Sequence, residues 1–523
     1  MNRREFLTRG AEVLVVAKVS PALAALPTSE GAPEFKTANS RWQSTYDSAL
    51  VVLANNVQVL PRSEKPVLIE GSVYRGIWME CGPHESLVYR KFRPEVARNS
   101  HMTFFALQQA DGQFPANNTV SRAGYGQIQM VTPIAATAWE LAQATGDDEL
   151  LHEAYNSCSK WDAWLMRYRN TRCTGLIEGF CTYDTGNDNS PRWAGMPNGC
   201  PDKDARNCPD VPSLPRLCPD LSATTYGARV ALATMARALG KTSEADRWAE
   251  SAEKIRKLIL SMLYVQEDAA FYDLGAQNQF VKVRSEVLTR VCAERVVDQA
   301  LFDDLWARQI YNPKAFWPAY PLPSIAVDDP HFVRPIPGNS WGGASQALTA
   351  LRAGRWLEHY GRPAEFGLMM DRWCEAIQRD GTFRQQVDPL SGVFTKEDAP
   401  NYSPCALVMM DYTWRLAGVC ETPDALQWNV RPGHPAAESA RFRMRTNEGR
   451  DAVMVYDRSG AALSLGGKEL GRIDSGVARL ITNKVGVAQA LLGISEVPHK
   501  VMVRLTGQAA RTVEVQPNRQ AEL

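Results

Sequence analysis

Between about residue 41 and residue 417, apolar positions recur at spacings of three and four. Ala228, Leu232, Met235, Ala236 and Leu239 share one helical face, and Gly240 follows as a stop signal. Thr242 or Ser243 then offers an N-cap, and Trp248, Ala252, Ile255, Ile259 and Met262 form the next apolar stripe. The same pattern predicts helices over roughly 39–57, 86–109, 129–145, 149–168, 284–308, 341–360, 364–379 and 403–417. About a dozen single-faced helices joined by short Gly/Asp/Pro turns must bury their stripes against one another. Two concentric rings of six helices is one economical solution, and a superhelical array of repeats is the other. No fixed repeat period is visible and the connecting loops vary widely in length, which favours the closed (α/α)6 toroid.

After about Pro423 the period changes from helical to alternating. Phe442 and Met444 alternate with arginines, and short β-rich runs follow at Ala452 to Tyr456, Ala461 to Leu465, Val477 to Thr482, Val501 to Leu505 and Arg511 to Val515. The expected fold class is therefore mainly α, with residues 26–422 forming the toroid and 423–523 a small antiparallel β-domain. The β-domain shows no cluster of catalytic residue types, so packing is its expected role. A chain of 523 residues is long enough for two such domains.

Composition narrows the partners. Apolar residues make up 45% and charged residues 22%, as in ordinary soluble globular proteins. Lys+Arg and Asp+Glu both number 58, so no charge excess draws the chain to nucleic acid or to an anionic membrane. The 14 Trp and 16 Tyr supply flat rings with polar handles, which suit sugar faces as well as cores. The start, Asn2-Arg3-Arg4-Glu5-Phe6-Leu7, resembles a twin-arginine export signal, and Ala22-Leu23-Ala24-Ala25 has a small-residue cleavage pattern. Residues 1–25 are thus expected to be a signal peptide, and the mature protein to be periplasmic or secreted. Glu12 and Lys18 interrupt the apolar stretch between these features. No other apolar run approaches the length of a membrane span, so no membrane insertion is expected.

Five of the eleven cysteines fall close together: Cys173, Cys181, Cys200, Cys208 and Cys218. The last three lie in a Pro/Asp/Asn-rich loop from Asn198 to Asp220 that can bury little apolar surface. A loop of this length needs a staple. A disulfide serves in an oxidising compartment, and a structural zinc is the rival. The Cys-x7-Cys and Cys-x9-Cys spacings lack the close C-x2-C pairs that zinc sites favour, and spacing alone leaves the connectivity open.

The densest chemical signal is Tyr183-Asp184-Thr185-Gly186-Asn187-Asp188-Asn189-Ser190-Pro191-Arg192-Trp193. It combines turn formers with two carboxylates, an arginine and a tryptophan, in a loop between helices where catalytic groups collect. The plainer reading is a turn in which Asp184 and Asp188 cap backbone amides.

This motif resembles the acid-bearing motif of glycoside hydrolase family 63, Asp-Ser-Gly-Met-Asp-Asn-Ser-Pro-Arg-Trp/Phe, departing only at Thr185 and Asn187. Family 37 trehalases carry a looser version. Further segments are similar in the same order: Trp78-Met79-Glu80 to a Trp-Asp-Ser element, Gln109-Ala110-Asp111-Gly112-Gln113-Phe114-Pro115 to Gln-x-x-Asp-Gly-x-Ile-Pro, and Asn339-Ser340-Trp341-Gly342-Gly343 to a Trp-Arg-Gly-Pro-Val-Trp loop. Leu221 to Lys241 resembles an Asp-Leu-Asn helix, and Asp388-Pro389-Leu390-Ser391-Gly392 with Ala399 to Ser403 resembles Asn-Pro-Leu-Thr-Gly with Ala-Pro-Asn-Phe-Ser-Trp. The resemblance covers roughly residues 40 to 420. It implies a six-hairpin toroid and hydrolysis of an α-glucoside, α-mannoside or short oligosaccharide with inversion, with Asp188 as general acid. Trp78, Glu80, Gln109, Asp184, Asn189, Arg192, Trp193, Trp341 and Gln385 then line the sugar site.

An inverting glycosidase needs a protonated carboxyl at the leaving oxygen and a carboxylate across the sugar, roughly 6.5–9.5 Å away, to deprotonate water. Asp188 must hold its proton, so burial or a neighbouring carboxylate, with Asp184 as candidate, is expected to raise its pKa. Arg192 would oppose that shift and is expected to face Asp184 or the substrate. The family's base glutamate aligns with Gln385, which cannot accept a proton from water. Three readings stay open. Another carboxylate serves, with Glu397 or Asp398 nearest in sequence and Glu80 a further candidate; phosphate replaces water; or the protein binds sugar without turnover. The seven histidines show no metal-ligand spacing, so neither metal nor cofactor is expected. Gly124-Tyr125-Gly126 lacks the context of a nucleotide fingerprint, and Gly466-Gly467 reads as a hairpin turn. Trp161, Trp164, Trp248 and Trp356 sit at helical spacings and read as core.

Overall fold

The computed structural model describes residues 31–338 and 340–523; the signal peptide expected at 1–25 and Asn339 lie outside the described residues. Twelve α-helices occur among them: α1 (Ser40–Asn55), α2 (Gly82–Tyr89), α3 (Pro94–Ala106), α4 (Ile134–Thr145), α5 (Asp148–Tyr168), α6 (Pro219–Ala238), α7 (Thr242–Met262), α8 (Val287–Ala293), α9 (Gln299–Leu305), α10 (Ala347–Leu357), α11 (Pro363–Asp380) and α12 (Ser403–Ala417). The period of three and four finds the helices, and Pro and the caps set their ends. The expected 86–109 helix is two, because Pro94 cannot continue α2 and opens α3 instead. The expected 284–308 helix is also two, because Asp298 caps a fresh start by accepting from the Leu301 amide at 2.9 Å. Helix α7 takes in Thr242 as its first residue, so neither Thr242 nor Ser243 is its cap and Lys241 holds the N-cap position.

Burial separates the helices into two kinds. In α12 every residue except Arg415 is buried, and α2 is nearly as enclosed. In α7 only Ala245, Ala252, Ile255 and Ile259 are buried, a single stripe. Packing follows the same division. Helices α2, α4, α6, α8, α10 and α12 each pack on the next, and α12 packs back on α2. The odd-numbered α1, α3, α5, α7 and α11 pack against members of that closed cycle.

The C-terminal region is two antiparallel sheets. The strands are β1 (Glu34–Lys36), β2 (Val419–Glu421), β3 (Ala425–Val430), β4 (Arg441–Arg445), β5 (Asp451–Tyr456), β6 (Ala461–Leu465), β7 (Lys468–Ser475), β8 (Ala478–Asn483), β9 (Ala488–Leu492), β10 (His499–Leu505), β11 (Arg511–Val515) and β12 (Gln520–Glu522). One sheet runs β1-β4-β5-β6-β7-β10-β11 and the other β2-β3-β8-β9-β12. Strand β1 precedes every helix yet pairs with β4, placing Phe35 opposite Phe442. Alternation does what the sequence requires: Phe442, Met444, Ala452, Met454, Leu463 and Leu465 turn inward and join the core that also holds the helices. Arg479 on β8 binds Glu358, just past α10, through both guanidinium nitrogens at 2.7 Å, and His434 meets Asp371 of α11 at 2.8 Å. The helices themselves leave the loops between α5 and α6, and between α8 and α12, to carry polar groups.

Candidate active site

The loop from Phe180 to Trp193 is built around Asp184. Its carboxylate is fully buried and accepts from the amides of Ile128 at 3.0 Å, Phe180 at 2.7 Å and Cys181 at 3.3 Å. The buried guanidinium of Arg169, at the end of α5, closes the set with an ion pair to the same carboxylate. Arg169 also donates to the carbonyl of Ala205 at 3.0 Å, which draws the 194–218 loop onto the same hub. Thr182–Thr185 therefore forms one tight 3-10 turn, and the chain leaves it through Gly186 at a φ of 66°. A side chain at that glycine would run into the Glu80 carboxylate, so the backbone approaches Glu80 as only glycine allows.

Below the loop lies a second polar layer. Arg192 is 2% exposed. It binds Asp220 of α6 at 2.7 and 3.0 Å and Asp273 at 2.9 and 2.5 Å, so all of its fork is committed. Arg290 of α8 reaches the same Asp220 at 3.2 Å and the carbonyl of Thr185 at 2.5 Å, and pairs with Glu286 one turn earlier. Glu286 in turn receives Asn187 at 3.3 Å and Thr349 of α10 at 2.5 Å. Thus the residues on either side of Gly186 are pinned by three helices.

Asp188 is what this framework presents. Its side chain is partly exposed, but Oδ1 is sealed from solvent and has no hydrogen-bond partner. Burial, and then the charge of Glu80, holds its carboxyl well above the usual range, with Arg290 opposing. Glu80 is buried with Oε2 unpartnered, and burial pushes it up to about 7 against the pull of Arg352 and Arg290. Two further buried carboxyls continue this wall. Glu70 accepts from Tyr402 at 2.8 Å, and burial with the charges of Glu80 and Glu85 raises it well above normal. Glu85 is raised to about 8, by burial first. Tyr74 stands edge-on to Trp78, with ring centroids 5.9 Å apart, and donates to Gln385 Oε1 at 2.7 Å. The charges of Glu70, Glu80, Asp188 and Asp398 all reach the Tyr74 phenol. A carboxyl raised in pKa beside a second acid, with aromatic edges next to them, is an arrangement that can deliver a proton to a glycosidic oxygen.

Comparison with known proteins agrees with that chemistry. Residues 74–414 match the mannosylglycerate hydrolase MGH1-like glycoside hydrolase domain. The chain belongs to this family. A search of curated proteins gave no match. Among solved structures, the GH63 mannosylglycerate hydrolase from Thermus thermophilus in complex with Tris and D-glycerate is similar over 71% of this chain and 100% of that one, at 18% identity and a TM-score of 0.58. Neutral trehalase Nth1 from Saccharomyces cerevisiae covers 68% of this chain and 76% of its own, at 13% identity and a TM-score of 0.52. The GH78 rhamnosidase of Bacillus sp. GL1 covers 82% of this chain and 40% of its own, at 13% identity and a TM-score of 0.55. At these identities the likeness is one of fold, and the family match makes this chain a glycoside hydrolase.

In this glycoside hydrolase the residues singled out from the sequence fall into three groups. Asp188, Glu80, Trp78 and Gln385 come together through Tyr74 and their mutual charges. Asn189, exposed at a φ of 61°, follows the acid directly. A second group supports the loop from behind. Asp184 is held by Arg169, so the carboxylate beside Asp188 is Glu80 and not Asp184. Arg192 faces Asp220 and Asp273 and neither Asp184 nor open space. Trp193 is buried with the guanidinium of Arg192 4.6 Å from its ring centroid, and Trp341 is buried with Arg290 5.4 Å from its own. Gln109 and Glu397 lie in two other loops. Gln109 closes a turn with Gln113 after α3, and Glu397 is exposed in the loop at 396–398, where its neighbour Asp398 pairs with Lys396 at 2.8 Å. Glu286, Arg290, Arg352 and Glu70 were not singled out from the sequence. Glu286 and Arg290 are an i,i+4 pair, a signal shared with many exposed helix faces.

Two trios could offer three ligands to a metal among the described residues: Cys181, Asp184 and Cys200, and Cys218, Asp220 and Asp273. In both, the carboxylates are already bound to Arg169 or Arg192, which competes with any cation.

Proposed function

We propose that this glycoside hydrolase is an inverting α-glycosidase on an (α/α)6 toroid, acting on an α-linked glucoside, mannoside or short oligosaccharide. The closed cycle of α2, α4, α6, α8, α10 and α12, with odd-numbered helices outside it, supports the toroid. One observation carries the catalytic reading: Asp188 keeps one buried, partnerless oxygen, and burial and the charge of Glu80 hold its carboxyl well above the usual range. Asp188 donates that proton to the leaving oxygen. Trp78 and Tyr74 offer ring surface to the sugar, and Glu80 accepts from a sugar hydroxyl. Glu397, exposed and without an ion pair among the described residues, is the proposed base, working from the loop that follows Gln385. The start of the chain supports twin-arginine export, so the proposed site of action is the periplasm or outside the cell.

Gln385 favours a second reading. A carboxamide bound to Tyr74 stands at the family's base position, and in this reading phosphate is the nucleophile in place of activated water, or sugar binds unturned. One experiment separates these. The purified protein is offered aryl α-glycosides and small α-linked saccharides, with and without phosphate, and the product anomer is followed by NMR. Hydrolysis to the β-anomer without phosphate, lost on the saccharides by at least ~100-fold in Asp188→Asn while sugar binding persists, is the expected result. Full activity in Asp188→Asn sinks the assignment, and a strict need for phosphate transfers it to phosphorolysis.

A further inference from the structure

We propose that Cys181 and Cys200 are joined by a disulfide that locks the acid-bearing loop to the long loop after it. The two sulfurs are 3.7 Å apart and both side chains are buried. They pack with Phe180 and Tyr183 in a small apolar cluster separate from the main core. Cys181 stands immediately before the 3-10 turn Thr182–Thr185, and Cys200 immediately before the turn Pro201–Lys203. A bond here therefore joins the first residue of the acid turn to the loop that covers it. The other cysteines of the region are placed differently. Cys173 and Cys208 are exposed, and Cys218 is buried against the carbonyl of Arg216, beside Asp220 and Asp273.

In the folded chain Arg169 donates to Cys200 Sγ at 3.5 Å. The bond forms by thiol-disulfide exchange with the disulfide of a thiol-disulfide oxidoreductase or of oxidised glutathione. One of the two cysteine thiolates bonds to one sulfur of the oxidant and expels the other as a thiolate. The second cysteine sulfur then displaces the remaining oxidant sulfur from the mixed disulfide, and the Cys181–Cys200 bond forms. Two protein thiols become one disulfide, and the oxidant's disulfide becomes two thiols that carry away both protons and both electrons. Because both sulfurs are buried in the folded chain, the exchange belongs to the stage before the 194–218 loop docks. Zinc fits the pair less well. The third ligand of that trio, Asp184, already serves Arg169 and three amides, which leaves two sulfurs where a structural zinc takes four ligands.

The test uses the whole chain, refolded or purified with oxidised and reduced glutathione, and separately with a phosphine reductant. Intact mass and non-reducing peptide mapping read the bond, and thermal melting reads its effect; neither depends on catalysis. The oxidised protein is expected to be lighter by two hydrogens per bridge, with one cross-linked peptide pair carrying Cys181 and Cys200. Its melting point falls on reduction, and that fall is absent in a Cys181→Ser/Cys200→Ser double variant. Alkylation of both thiols in the oxidised protein overturns the proposal. So does a cross-link among Cys173, Cys208 and Cys218 instead, or one equivalent of zinc bound to free thiols. The mapping needs no variant, so misfolding of the double variant leaves the test standing.

Discussion

Glu80→Gln is the substitution that asks most of the electrostatic argument. The side chain keeps its shape, so the close passage of Gly186 against it is preserved, while the charge that reaches Asp188 is removed. As the proposed general acid, Asp188 works only while protonated, so whatever raises its pKa extends activity toward alkaline pH. Burial does this first and the Glu80 charge second, with Arg290 pulling the other way. Glu80 itself titrates at about 7, so its charge acts on Asp188 mainly above that pH. The two acids then lose their protons as a pair, in two steps. A like charge beside a carboxyl raises its pKa, and Arg290 limits the rise. In Glu80→Gln the alkaline limb of kcat/KM should therefore move acidward, and activity on that limb should fall on the order of tenfold. The assay is a pH profile on an alkyl or saccharide α-glycoside. A dinitrophenyl glycoside, whose leaving group needs no proton, runs beside it as control. If the limb stays in place or moves toward higher pH, Glu80 is not what holds the Asp188 proton. A uniform loss on both substrates would mean a binding role alone.

Two stability measurements extend the same reasoning. Arg192→Met removes the fork shared by Asp220 and Asp273, leaving the buried Asp273 carboxylate unpaired and Asp220 with Arg290 alone, so denaturant unfolding should show a loss of about 3–5 kcal/mol, and a loss under about 1 kcal/mol would mean the network relaxes without it. Glu85 is raised from 4.5 to about 8, by burial first, so the folded chain holds a proton that the unfolded chain releases. Its stabilising contribution is full below pH 4.5 and is lost as pH rises through about 8, an effect of up to ~5 kcal/mol at the usual conversion. Glu85→Gln should therefore melt higher than the parent at pH 8, with the gap closing toward pH 5, and parallel melting curves would contradict the assignment.

The helical region was legible because its information is local. A stripe at spacings of three and four says where a helix buries a face, as in α7, whatever it buries that face against. What the stripe does not show is a break that leaves the pattern intact. Residues 86–109 keep their period across Pro94, and 284–308 across the cap at Asp298, so each pair of helices reads as one. Strand β1 shows the opposite limit. Three residues, Glu34 to Lys36, carry too little alternation to announce a strand, and only the edge of the sheet at β4 makes them one. Pairing between residues some four hundred positions apart is a property of the assembled sheet.

The site divides along the same line. Asp188 is legible because its motif compresses a turn, a glycine at positive φ and an acid into a few consecutive positions. The groups that set its behaviour come from elsewhere: Glu80 from the segment before α2, Arg290 from α8, Arg352 from α10. Charge type can be read from a sequence, but the direction a charged side chain faces cannot, and Arg192 illustrates the consequence. Next to the proposed acid it reads as a substrate ligand, while its neutralising partners Asp220 and Asp273 lie 28 and 81 residues away. Gln385 is the converse case. Its identity alone removes a base from the family's position, and its bond with Tyr74 shows what the position does instead: it fixes a phenol that the charges of Glu70, Glu80 and Asp188 all reach. A carboxylate at 385 would add another negative charge to a wall that already keeps several buried acids from ionising at their usual pH. Such a residue would itself be driven toward its protonated form and would serve poorly as a base. The glutamine thus fits the acid wall around it, and a base for water is better sought where solvent screens the charge, as at Glu397.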